Sequence, residues 1–298
     1  MALTLYPVPG KEKSKLICNA FAAGAPKHAT GAVFFGTEGV MQAFQRAKQG
    51  TWWYIDNAYT DPQRQLYFRV TKNALQVDPL LPPPDGIYDN RRTGLREWWE
   101  AGTKTSGIIL PGQCENQFGH YPDLPQRQLR DSDGRRFARL GITVKDWRHK
   151  PDGKIIVIPQ SDDFMKSTLG RKGAWLRETV DKLNAWGYGP RIRVRPWLRD
   201  KKTAYVELHR DLDDAALVVT WSSASAITAL YEGIPAISES GAAHALTGPL
   251  TQERVAQPLT PTYEERLHLF QVLADNQMTL EEMRNGTAWR WLEKNGAT

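Results

Sequence analysis

The stretch 217–237, LVVTWSSASAITALYEGIPAI, decides how the chain is read. An unbroken apolar run meets a cluster of serines, passes into a helical pattern and returns through Gly-Ile-Pro to a second apolar strand. A buried parallel strand that ends at a helix N-terminus leaves backbone N–H groups unpaired and partly positive, which favours an anion such as phosphate. In open α/β sheets the ligand crevice lies at the carboxyl ends of the strands, where this stretch places Ser222, Ser223 and Ser225. A serine there also caps a helix with no ligand at all. On the sequence both readings stand.

Working outward, the upstream segment repeats the strand-helix-strand logic: GKIIVIPQ, then KGAWLRETVDKLNAWG, then RIRVRPW. The first part of the chain does the same with LTLYPV, KSKLICNAFAAG, GAVFFG, EGVMQAFQRAKQ, TWWYID and LYFRVT, which reads as a βαβ-type layer. Between them prolines, glycines and charges interrupt the pattern over about 77–125, with one short helical candidate in GLREWWEAG. Past Pro258 the chain reads as helical to its end, and TLEE at 279–282 matches a capping box that starts a final helix. The expected organisation is α/β: a Rossmann-like domain over 1–150 carrying the irregular insertion, a second over 151–260, and C-terminal helices over 261–298.

The chain has 298 residues, 41% of them hydrophobic and 24% charged, as expected of a globular protein. No apolar run approaches the roughly 18 residues of a membrane span, and the start lacks the signature of a secretory signal, so no membrane insertion and a cytoplasmic location are expected. Cys18 and Cys114 support neither a disulfide framework nor a cysteine-rich zinc site. A formal charge of +6 favours a polyanionic partner, and the basic clusters at 127–139 and 145–154 make Arg135, Arg136, Lys145 and Arg148 candidate contacts to duplex DNA. Ordinary solvated charge accounts for the same residues. Eleven tryptophans mixed with arginines could stack on bases or sugars, although core or interdomain packing claims most of them.

The segment SSASAITALYEGIPAI resembles the C-terminal domain of GT-B glycosyltransferases, where a strand, a serine turn and a helix closing in EAxxxGxPxI bind the nucleotide-sugar donor. The resemblance extends to IIVIPQSDDFM, as the first strand and loop of that domain, and to RIRVRPW in place of the family's basic RxHP segment. It covers roughly 150–260. The runs TWSSASAITALYEGIPAI, WYIDNAY, FRVTKNALQ and PQSDDFM also resemble proteins of bacteriophages and prophages. The likeness implies two Rossmann-like domains facing a cleft, with C-terminal helices crossing back. It implies a nucleotide-sugar co-substrate used without a metal. Phosphates would rest on Ser222, Ser223 and Ser225, with Gln160 and Ser161 on the facing loop, Arg195 or Arg210 neutralising the leaving group and His209 touching the donor. Where many members carry a ribose-binding glutamate, this chain has Thr228, which can bond once but not bidentately.

Two further residues are candidates for a general base. Asp56 closes the apolar run WWYID, where Trp52, Trp53 and Tyr54 would shield the carboxylate and raise its pKa. An Asp-Asn turn explains it equally well. His120 is the second candidate, with His209 and His244 as alternatives. The DSD at 131–133 reads as a turn and not as a metal-binding DxD, because no apolar strand precedes it. No GxGxxG, Walker loop, HExxH or GxSxG occurs. Three functions follow: transfer of a sugar to a hydroxymethylated base in phage DNA, transfer to a surface glycan, or nucleotide or nucleic-acid binding without turnover.

Overall fold

The computed structural model describes residues 3–36, 39–47, 50–60, 66–73, 131–160, 174–195 and 208–295. The stretch at 77–125, with its candidate helix, lies outside them. The first part forms β1 (Leu3–Tyr6), α1 (Glu12–Ala23), β2 (Gly31–Phe35), α2 (Met41–Ala47), β3 (Trp52–Asn57) and β4 (Tyr67–Lys72). Strands β2 and β3 are apolar without alternation because helices cover both faces of the sheet. Val33, Trp53 and Ile55 share one core with Ile17, Cys18 and Phe21 of α1, while Ala32, Phe34, Trp52 and Tyr54 share another with Phe44 of α2.

This first sheet departs from the expected Rossmann-like order. Its strands run β1-β2-β3-β4 and then β9 (Gln277–Thr279), the first three parallel and the last two antiparallel. Strand β4 turns back because residues 58–66 are fewer than the dozen or so that a parallel crossover needs.

The second sheet is the doubly wound one. After α3 (Arg135–Leu140) come β5 (Lys154–Ile158), α4 (Ala174–Ala185), β6 (Ile192–Val194), β7 (Ala215–Thr220), α5 (Ala224–Tyr231) and β8 (Ala236–Ser238). The order is β6-β5-β7-β8 with every pair parallel. The chain therefore leaves β5 toward β6 on one side and returns past β5 to build β7 and β8 on the other. That reversal creates a topological switch point between β5 and β7. Ile155, Val157, Leu217 and Val219 face Trp175 and Leu183 of α4, whereas Ile156, Ile158 and Val218 face Ala226, Ile227 and Leu230 of α5. Burying each such aliphatic side chain contributes about 1.5–3 kcal/mol.

The motif EGIP owes its glycine to packing. Gly233 has φ +74, and a Cβ there would sit 1.9 Å from the Asp146 carbonyl oxygen. The segment 142–149 passes directly beneath it, held by Lys145 N to Tyr231 O at 2.8 Å and Arg148 N to Gly233 O at 2.7 Å.

The C-terminal part contains α6 (His244–Thr247), α7 (Gln252–Ala256), α8 (Tyr263–Asp275), α9 (Leu280–Arg284) and α10 (Thr287–Asn295). Leu269, Phe270 and Leu273 of α8 belong to the core of the second sheet, while Met283 of α9 and Ala288, Trp289 and Leu292 of α10 belong to the core of the first. The chain changes sheets at 275–277. Contrary to an uninterrupted helical tail, β9 intervenes there and pairs with β4. The expected capping box at 279–282 forms: Thr279 and Glu282 bond each other's backbone N–H groups. It begins α9, and a separate helix, α10, follows. A second box, Thr262 with Glu265, starts α8.

Candidate functional site

The carboxyl ends of β5 and β7 bring Gln160 and Ser222 together at the switch point. The Ser222 hydroxyl donates to Gln160 Oε1 at 3.1 Å. The serine turn then folds on itself. Ser223 N donates to Thr220 Oγ1 at 3.2 Å, and Ser223 Oγ accepts from Ser225 N at 3.2 Å, which makes Ser223 the N-cap of α5. Ser223 and Ser225 hydroxyls lie 3.1 Å apart, and Ala226 N bonds Ser223 O. Ala224 N is left as a first-turn donor with no partner among the described residues. The capping explanation is thus realised, and it still leaves an amide for an anion. Thr228 sends its hydroxyl back to Ala224 O at 3.4 Å.

A third wall comes from the loop after β8. Glu239 N donates to Thr220 O at 3.1 Å and Ser240 N to Trp221 O at 2.7 Å. Gly241, at φ +78, packs so close that an added Cβ would lie 3.0 Å from Ser222 Cβ. His244 Nδ1 lies 2.7 Å from Ser238 O, and because a carbonyl only accepts, that nitrogen carries the proton. Burial pushes the Glu239 carboxyl above its ordinary value, opposed by the Leu250 amide and by Lys182. The sequence offered no way to align Glu239 or Gly241 to this site, since their approach depends on β8 pairing with β7.

Arg195 lies beside β5 through Arg195 N to Val157 O at 2.9 Å, but its buried guanidinium is anchored: Nε donates to Asp211 Oδ2 at 3.1 Å. Arg193 joins the same carboxylate at 2.8 Å. His209 and Arg210 precede Asp211 on the helical turn 208–213. Asp211, 4% exposed, is the residue that sequence reasoning missed, because nothing in DLDD says which aspartate turns inward. Ser161 and His120 lie outside the described residues.

Asp56 sits in the first sheet, directly across β3 and β4 from Arg69. Its neighbours are polar, not the expected tryptophan shield: Arg69 Nη2 at 2.7 Å, Tyr54 OH at 3.2 Å, Asn57 N at 2.7 Å and Asn57 Nδ2 at 3.2 Å. Trp52 and Trp53 point into the cores on opposite faces of the sheet. Burial, reinforced by the Asp56 charge, pushes the Tyr54 phenol well above its ordinary value, so it stays a neutral donor.

The candidate DNA contacts do not form a strip of idle charge. Arg136 bonds Gln277 O at 3.0 Å and Glu282 at 2.9 Å, Lys145 pairs with Glu232 at 2.5 Å, and Arg148 donates to Leu212 O at 2.6 Å. Arg135 is exposed beside Asp133. Arginine-aromatic contacts among the described residues are internal too, as in Arg266 over Trp147 at 4.1 Å and Arg69 over Tyr59 at 4.6 Å. The DSD segment forms a turn: Ser132 Oγ accepts from Gly134 N at 3.1 Å and Asp133 Oδ1 from Arg135 N at 3.0 Å. Among the described residues no helix is long and apolar enough to cross a membrane.

No family model and no curated protein matches the chain. Among solved structures, Thermosulfurimonas dismutans KpsC, beta Kdo 2,7 transferase, aligns over 99% of this chain and 99% of that chain with a TM-score of 0.40 and 13% identity. A likeness that distant carries no weight for the chemistry.

Proposed function

We propose that the protein is a glycosyltransferase that holds the phosphate of a nucleotide-sugar donor at the switch point of the second sheet. The observation that carries this reading is the meeting of Gln160 and the Ser222–Ala224 turn between the carboxyl ends of β5 and β7. That is where open parallel sheets bind ligands. The resemblance of SSASAITALYEGIPAI to donor-binding segments supplies the ligand class. When the bond from sugar to phosphate breaks, negative charge grows on the departing phosphate oxygen. The Ala224 amide, the α5 N-terminus and the Gln160 amide would stabilise that charge without reorganising. No step of this reading needs a metal.

For the acceptor, the bonds that tie the part-buried Arg136 to Gln277 O and Arg148 to Leu212 O favour a glycan hydroxyl over a hydroxymethylated base in duplex DNA. A second reading, nucleotide binding without turnover, is favoured by the Arg69 ion pair on Asp56 and the back-bonded Thr228. Incubation with a panel of nucleotide sugars, with and without glycan or hydroxymethylated DNA, separates the three by mass spectrometry of the nucleotide and acceptor. The glycosyltransferase reading expects free nucleotide from at least one donor, increased by an acceptor glycan. Binding without release would leave the non-catalytic reading.

A further inference from the structure

We infer that Ser222 is a positioning residue acting through Gln160, so that the group offered to the ligand is the Gln160 amide nitrogen and not the Ser222 hydroxyl. The inference rests on the nucleotide-binding reading above. Ser222 is only 5% exposed, so its hydroxyl must find an acceptor inside the protein. The adjacent Trp221 carbonyl already accepts from Ser240 N at 2.7 Å, and no bond from Ser222 Oγ to it forms. Gln160 Oε1 takes the Ser222 proton instead, at 3.1 Å.

That bond decides which end of the amide is committed. With Oε1 held by Ser222, Nε2 and its two N–H groups remain, and among the described residues they have no partner. Gly241 packs close against Ser222, since a Cβ added there would lie 3.0 Å from Ser222 Cβ. An amide presented by its donor end selects acceptor oxygens, and hydrogen bonds to charged oxygens are the stronger kind. The group recognised is therefore a phosphate oxygen, met by Gln160 from the β5 side and by Ala224 N from the β7 side.

The test uses the full chain and titration calorimetry with UDP, GDP, CMP and inorganic pyrophosphate. Gln160→Glu keeps an oxygen for Ser222 but replaces the two N–H groups with an anionic oxygen. Its affinity for the best probe should fall by about 100-fold or more at neutral pH, with thermal melting unchanged. Relative to the unmodified protein, that loss should shrink as pH falls toward the ordinary carboxyl range of about 4.3, where a protonated carboxyl can donate again. Ser222→Ala should lose about tenfold, and the Ser222→Ala/Gln160→Ala double variant should bind no worse than Gln160→Ala alone. If Gln160→Glu binds like the unmodified protein, or if the two alanine losses multiply, Ser222 does not act through Gln160. If the unmodified protein binds none of the probes, the nucleotide reading itself falls and takes this inference with it.

Discussion

Ser223 and Ser225 look alike in the sequence, but the fold spends one of them on a cap. Replacing Ser223 with alanine should lower stability by about 1 kcal/mol, the usual worth of a serine N-cap, and urea denaturation would measure it. A change in nucleotide affinity with no loss of stability would contradict the capping role. Arg135 and Arg136 divide in the same way. Arg136→Ala should cost about 2 kcal/mol, because it removes a charged hydrogen bond to Gln277 O and the ion pair with Glu282, whereas the exposed Arg135→Ala should be near neutral. The sequence showed a basic cluster but could not assign its members. Which arginine turns inward depends on where β9 lies, more than 130 residues away in the chain.

At the scale of elements, the join between α8 and β9 gathers two carboxylates with opposed pH behaviour, Asp275 and Glu282. Burial pushes the Asp275 carboxyl above its ordinary value, Asp133 adds to that, and Ser132 and Arg136 oppose it. The ionised form is thus disfavoured in the fold, so its contribution to stability is greatest at low pH. That contribution is lost as pH rises through the folded pKa. Asp275→Asn should therefore raise the melting temperature at neutral pH, and the gain should vanish near pH 3, where both carboxyl states are protonated. Glu282 runs the other way. Burial alone would raise it, but the Arg136 hydrogen bond and the cap amide outweigh burial and hold it below its ordinary value. Its contribution is present at neutral pH and is lost as pH falls through that lowered value, so Glu282→Gln should destabilise at pH 7 and not in strong acid. A melting series across pH would check both variants.

The elements themselves were legible where pattern and chemistry agree. The apolar runs gave β2, β3, β5 and β7, and TLEE gave the start of α9, because caps and buried strands are local properties. Strand β9 was not legible: Gln277, Met278 and Thr279 carry no strand pattern, and β4 recruits them by offering an edge. Gly233 stood out in EGIP, but its cause, the 142–149 segment beneath it, appears only in three dimensions. Gly233→Ala should cost more than the roughly 1–2 kcal/mol of a left-handed backbone alone, because Asp146 O occupies the space of the new Cβ.

Over the whole molecule, two separate sheets share one C-terminal segment, which packs α8 on the second and α9 and α10 on the first. The second sheet was readable from sequence because its strands, helix and serine turn follow in chain order. The first was only partly readable, since its last strand arrives from the far end of the chain. The switch point follows from strand order, which places Gln160 beside Ser222 although they are 62 positions apart in the chain. The decisive measurement is a crystal structure of the chain with the nucleoside phosphate that it binds tightest. A phosphate oxygen is expected within hydrogen-bonding distance of both Gln160 Nε2 and Ala224 N, between the ends of β5 and β7. A phosphate bound anywhere else, or a switch point that stays empty under saturating nucleotide, would contradict it.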